Sequence, residues 1–294
     1  MISDDTSPGP AAGAARAARL ALAGALVAFA FCGLFVTAFH APSPHAIPIG
    51  TVGAASAPAG FAPRHYDSEQ AARADLESGE VRGVLLPGRL LVASARGAVE
   101  AQFVRAAFPR AAVTDVAPLP EHDSRGLSAV FTALGVTVAG VAFGALLTLF
   151  GTGRRVLAIA LFGGATGLVV ALTVDTLVGA LTGAFWATAG IAALSAAAIS
   201  AATHAIGRAV GPPGLAVAAL LFIPLGQSAA GGALGSDLVP SFFGALSDAL
   251  PVGASQSALR GAVYFDGAGT TVPLLVLAAW AAVGAAVVLR FERT

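Results

Sequence analysis

The chain has 294 residues, 56% hydrophobic and only 11% charged, with a formal net charge of zero. That balance excludes a soluble globular protein, whose surface needs far more charge, and leaves no basic field for nucleic acid. The sixteen basic residues are all Arg, so the Lys that a GxxxxGK[ST] phosphate loop requires is absent, and any ATP hydrolysis of that type belongs to a separate subunit.

Residues 1–19 are polar and small and end in Arg16 and Arg19, which reads as a short cytoplasmic tail. Residues 20–39 are uncharged and long enough to span a bilayer. The Arg residues before them place the N-terminus inside, and a cleaved signal peptide is the rival reading. The single cysteine, Cys32, lies in this run. It can form no internal disulfide and reads as an inert core thiol.

Residues 40–125 differ in kind, holding eight Arg and nine Asp or Glu. A Pro-rich linker carries His40 and His45, with no third metal ligand near. A strand is expected over 47–52 and a helix capped at Asp67 or Ser68 that stops at Gly79. Two apolar strands, 81–86 and 90–95, join through Pro87-Gly88. An amphipathic helix over 98–108 presents Val99, Phe103, Ala106 and Ala107 on one face, and a last strand covers 112–117. The order βαββαβ is that of split-βαβ, ferredoxin-like folds and makes a small α+β extracytoplasmic domain.

Residues 126–294 form a five-helix membrane domain, with spans at about 128–150, 156–174, 182–203, 213–233 and 273–289. An outer helical segment covers 234–272. With the first span this makes an α-helical polytopic protein of six transmembrane helices, both ends inside. The inner segments hold Arg16, Arg19, Arg154, Arg155, Arg208, Arg290 and Arg293, whereas the short outer loops hold Arg260 alone, as the positive-inside rule requires. Gly140-x-x-x-Gly144, Gly163-Gly164 and Gly167 permit close helix approach. They serve packing inside one chain or a dimer face. No charge lies at mid-depth in a span, which argues against a proton relay. Asp175, at the outer end of the third span, is either solvated at the interface or a substrate contact. Gly151-Thr152-Gly153 is a tight turn, not a nucleotide motif. No constellation of catalytic or metal-ligating residues stands out, so neither enzyme activity nor a cofactor is expected.

The stretch 220–265 carries the most information. An apolar helix breaks at Gly231-Gly232, two short amphipathic pieces follow, punctuated by Pro240 and Pro251, and the run closes on Ala258-Leu259-Arg260. A spanning helix that breaks, lies along the outer surface and re-enters has this order, because Gly and Pro relax or remove helical bonding. Gln227, Ser228, Ser236 and Asp237 surround the break, and Arg260 is placed to pair with Asp248 or Asp266.

Ser228 through Gly232, Leu238-Val239-Pro240, Phe242-Phe243, Leu250-Pro251 and Ala258-Leu259-Arg260, with the span layout, resemble the ABC-2-type transporter membrane-domain (permease) superfamily. The closest likeness is to its phage-infection-protein-like branch, which carries a large extracellular domain after the first span. The resemblance implies the permease subunit of an ABC exporter in a bacterial inner membrane. Such a subunit moves a hydrophobic or lipid-like compound outward as a homodimer or heterodimer, with a separate P-loop ATPase. Docking of the ATPase is expected at Arg154, Arg155, His204 and Arg208. The translocation path or outer gate is expected at Gln227, Ser228, Gly231, Gly232, Asp237, Pro240 and Asp175. The alternative is a non-transport envelope scaffold or surface receptor whose extracytoplasmic domain binds another cell-surface component.

Overall fold

The computed structural model describes residues 10–53, 57–151 and 153–292. Residues 1–9 of the expected tail, Thr152 and Arg293 lie outside them. Six described helices are long and apolar enough to cross a membrane, and a small mixed sheet lies between the first and second. This is the architecture of a multi-pass membrane protein.

The sheet holds β1 (Ile47–Val52), β2 (Phe61–Tyr66), β3 (Val84–Leu86), β4 (Arg89–Val92) and β5 (Ala112–Asp115), in the order β2-β1-β3-β4-β5. The element order βαββαβ is present, with β2 added at one edge, but the ferredoxin-like split is not. β1 and β3 are direct parallel neighbours, β3 and β4 an antiparallel hairpin, and β4 and β5 parallel neighbours. Two complete βαβ units are therefore joined by one hairpin. Both crossovers step the same way across the sheet along opposed strands. Right-handed connections then put α2 (Glu69–Ser78) and α3 (Ala98–Ala107) on opposite faces, and burial agrees. Ala72 and Leu76 of α2 pack with Val84 and Leu91, whereas Ala101 and Val104 of α3 pack with Ile47, Ile49, Leu90 and Val92.

Local chemistry sets the ends of α2 where the sequence placed them. The Ser68 hydroxyl accepts from the Ala71 amide, and Gly79 closes the helix at φ 87°. In α3 the buried stripe is Ala98, Glu100, Ala101 and Val104, one position round from the expected face, because α3 also packs against a segment from the membrane half.

That packing removes the boundary between the two halves. Leu238, fully buried, belongs to the core beneath α3, and Phe265 belongs to the core beneath α2. The α/β unit is thus completed on both faces by residues that follow the fifth long helix.

The long helices are α1 (Pro10–Phe39), α4 (Leu127–Phe150), α5 (Arg155–Ala171, continued by a π-helical turn to Leu177), α6 (Phe185–Val210) and α11 (Thr271–Glu292). The remaining one, fifth in chain order, is a composite of α7 (Pro212–Leu220), a π-helical turn around Pro224 and α8 (Gly226–Ala229). The wide turn accommodates the missing Pro224 amide. α6 is the axis, packed by α4, α5, α7, α10 (Pro251–Tyr264) and α11. It is longer than the expected 182–203, and the loop foreseen over 204–213 shrinks to Gly211. α1 is mostly exposed; near its end Leu34, Ala38 and Phe39 meet Leu225, Val239 and Phe243, and it also contacts α7. Cys32 is exposed on it, a surface thiol and not a core one.

The glycine pairs serve contacts inside the chain. A Cβ on Gly144 would stand 2.6 Å from the Ser200 carbonyl, and one on Gly167 would stand 2.3 Å from the Ala189 carbonyl. Gly164 faces open space. Gly167→Leu is expected to force α5 off α6 at a cost of about 1–3 kcal/mol or more, while Gly164→Leu leaves stability unchanged. Thermal unfolding of the two variants in detergent checks this.

Candidate functional site

The segment between α8 and α11 is not an outer surface helix. From Ala229 the chain turns through Gly231 (φ 72°) and Gly232 (φ 51°) to Asp237, then descends as α9 (Ser241–Ser247). At the bottom the Ala249 carbonyl accepts from the Trp280 indole N–H at 2.8 Å. Trp280 stands nine residues into α11, about 13 Å along its axis, so the chain has dipped well into the bundle. α10 returns from there with Pro251 in its first turn, where no amide is needed. Its 14 residues give about 20 Å, short of the ~30 Å hydrocarbon core. α9 and α10 therefore form a re-entrant hairpin.

Most of α10 is buried, and its Ser255 and Gln256 meet partners inside the bundle. The Ser255 and Ser195 hydroxyls lie 2.6 Å apart, and Gln256 Nε2 donates to Gln227 Oε1 at 2.6 Å. The Gln256 Oε1 atom has no partner among the described residues.

Above this floor lies a cavity of about 420 Å³ roofed by the α/β unit. Arg82 of the α2–β3 connection forms the centre of its wall. It donates from Nε to Asp237 Oδ2 at 2.6 Å, stands 3.4 Å from Glu100 Oε2, and also donates to the Gly79 carbonyl. Glu100 Oε1 accepts from the Asp237 amide at 3.2 Å. Burial opposes charge on Arg82, but the Glu100 and Asp237 carboxylates outweigh it and raise its pKa. Burial pushes the Glu100 carboxyl above its ordinary range; Arg82 opposes this and Asp237 reinforces it. Arg96 donates to the Glu77 and Ala268 carbonyls and lies 4.1 Å over the Phe265 ring. Burial, with Arg82 and Arg260 nearby, pushes it down to about 10, so it stays charged at neutral pH. Arg260 completes the wall. No ion pair joins it to Asp248 or Asp266 among the described residues, contrary to expectation; Asp248 lines the cavity elsewhere.

Of the expected path residues, Asp237 lines this cavity and Gln227 lies beneath it, paired to Gln256. Gly231 and Gly232 make the turn, and Pro240 caps α9. The Ser228 hydroxyl donates to the Leu34 carbonyl at 3.3 Å, tying α1 to α8. Asp175 stands outside the cavity and accepts from the Gly183 amide at 2.8 Å, the role of a loop cap. At the opposite end of the bundle Arg154 and Arg208 are exposed and Arg155 is half-buried. His204 is not on a docking loop. It is fully buried, with Nδ1 2.9 Å from the Thr148 hydroxyl.

Sequence reasoning missed Arg82, Arg96 and Glu100, which read as ordinary surface charges of a small domain. Gln256 was the signal within reach, an amide between Pro251 and Arg260 with small and apolar neighbours. No cluster of three or more metal-ligating side chains occurs among the described residues. Comparison with protein-family models, with curated proteins and with solved structures finds no match.

Arg82→Ala leaves Glu100 and Asp237 buried without their counter-charge. It is expected to cost about 3–5 kcal/mol of unfolding free energy, against less than ~1 kcal/mol for Arg89→Ala in the exposed pair with Glu69. A carboxyl whose folded pKa is raised holds its proton more tightly when folded. Its contribution to stability therefore declines as pH rises from about 4.3 through the raised value. Glu100→Gln keeps an oxygen for the Asp237 amide and is expected to flatten that decline, as read from thermal midpoints across pH.

Proposed function

We propose that the protein is the membrane-spanning permease subunit of an ATP-driven exporter of the ABC-2 type, in a bacterial inner membrane. Both ends lie inside, the α/β unit faces outward, and an amphiphilic compound moves out. The observation that carries this reading is a polar lining. The lining of the charged cavity takes in Asp248, Gln256 and Ser257 of the re-entrant hairpin, so polar groups reach from the α/β unit into the bundle. Broken helices at membrane depth are tolerated where they line a cavity or are buried in protein. Energy comes from a separate P-loop ATPase, since this chain has no Lys. Arg154, Arg155 and Arg208 form the basic end to which such a subunit docks. A twofold assembly, with itself or a related chain, is part of the proposal.

One observation favours the non-transport alternative. The turn joining α4 to α5 and the single-residue turn at Gly211 offer an ATPase little surface, as in an envelope scaffold or receptor. Against a detachable receptor module stands the shared core, since deleting the α/β unit would strip cover from Leu238 and Phe265.

Crosslinked capture of the tagged protein from native membranes, read by mass spectrometry, separates the two. The exporter reading expects one P-loop ATPase, lost when Arg154 and Arg155 are both changed to Glu. Capture of envelope proteins without an ATPase overturns it in favour of the scaffold.

A further inference from the structure

The cavity is lined by four Arg and four carboxylates, but they are unevenly paired: Arg64 is joined to Glu80 and Arg82 to Glu100 and Asp237, which leaves Arg96 and Arg260 with Asp248. Arg82, Arg96 and Arg260 stand close enough to repel one another. Glu100 and Asp237 both contact Arg82, and Glu100 also attracts Arg260 from beyond ion-pair distance. Arg96 has only carbonyl oxygens and an aromatic ring as partners. Arg260 has no hydrogen bond or ion pair among the described residues. Guanidinium groups removed from bulk water are costly unless matched, and an oxyanion that can accept two parallel N–H bonds, such as a phosphate, is a partner their fork geometry fits.

The cavity also reaches the start of α11. Its wall includes Thr271, Val272 and Pro273 at the start of α11, and both Val272 and Leu275 are 64% exposed. This is the end of the bundle nearest the α/β unit, where lipid head groups of that leaflet meet a spanning helix. Its volume lies in the ~300–1,000 Å³ range of small-molecule sites.

We propose that this cavity binds the phosphate-bearing head group of a membrane amphiphile, with Arg260 and Arg96 on the phosphate and the acyl chains along the Val272–Leu275 flank of α11. Asp248, Gln256 and Ser257 face the polar substituent beyond the phosphate. Binding stands on this geometry alone; that the bound amphiphile is also the cargo rests on the exporter reading.

The test uses the purified full chain in a non-ionic detergent, without any ATPase. The probes are short-chain phosphatidylglycerol, inorganic phosphate and the matching uncharged diacylglycerol. Calorimetric titration is expected to show saturable binding of phosphatidylglycerol, at least tenfold tighter than phosphate, and none of diacylglycerol. Arg260→Gln is expected to weaken that binding at least tenfold, while the exposed Arg110→Gln leaves it unchanged. If Arg260→Gln does not fold, Ser257→Trp fills the cavity from an exposed position and must abolish binding in its place. Equal affinity for phosphate and phosphatidylglycerol overturns the lipid assignment. Binding of neither, or binding indifferent to both variants, overturns the anion site. Because no partner is present, those failures leave the exporter reading standing, and failure to capture an ATPase leaves this one standing.

Discussion

A guanidinium held between two carboxylates fixes the geometry of the whole upper half. Arg82 comes from the connection entering β3, Glu100 from α3, and Asp237 from the turn that follows the fifth long helix. Arg82 and Glu100 both belong to the α/β unit, and Asp237 joins them only when the sheet sits on the bundle. The backbone joins in, with the Ser43 amide donating to the Leu238 carbonyl and the His45 amide to the Asp237 carbonyl. Gly235 makes the approach possible, since a Cβ there would lie 2.0 Å from Glu100 Oε1. Buried ion pairs add little net stability over an apolar contact but are severe when broken. Here the apolar contact is present too, as Leu238 enters the same core. The polar cluster therefore sets register, and Leu238 supplies much of the holding energy.

With Asp237 fixed, the hairpin below it has little freedom. Pro240 and Pro251 start α9 and α10 at helix positions that need no amide, and Gly253 lets α10 pass close to the Ser247 carbonyl, where a Cβ would stand 2.4 Å away. The Trp280 indole holds the tip, and Gln227 and Ser195 hold the shaft. A short helix with Ser, Gln and Arg is unsuited to face lipid alone. It persists because five neighbouring elements bury its polar face or give it partners.

How much of this was legible in the sequence follows from how local each cause is. The ends of α2 were readable because caps are chemistry between residues a few positions apart, as at Ser68 and Gly79. The apolar spans were readable because length and composition suffice. The strand order was not. β2 pairs in parallel with β1 after a connection of only eight residues, 53–60, shorter than the dozen or so that parallel neighbours usually need. The end of α6 was misplaced because His204 and Arg208 resemble the edge of a span. The helix continues, and Thr148 of α4 meets the buried histidine at Nδ1. Glu100 in an amphipathic helix reads as solvent-facing, and only contact with Arg82 and the Asp237 amide, supplied by a segment more than a hundred residues away, turns it inward. The break at Gly231-Gly232 was visible, but the depth to which the following chain descends depends on Trp280 and could not be.

Packing divides the bundle into a close-fitted part and a loosely held one. α4, α5 and α6 approach through Gly144, Gly163 and Gly167, with backbone meeting backbone, so sliding any of them would collide with a neighbour's carbonyl. α1 is attached near its end by Ser228 and by Phe39 against Gly232, and most of its described length is exposed. The hairpin lies between these two parts, joined to the rigid one through α6 and to the α/β unit through Asp237. The charged cluster and Leu238 thus link the α/β unit directly to the segment that leads into the hairpin. The cavity lies on that link, and whatever occupies it stands against both.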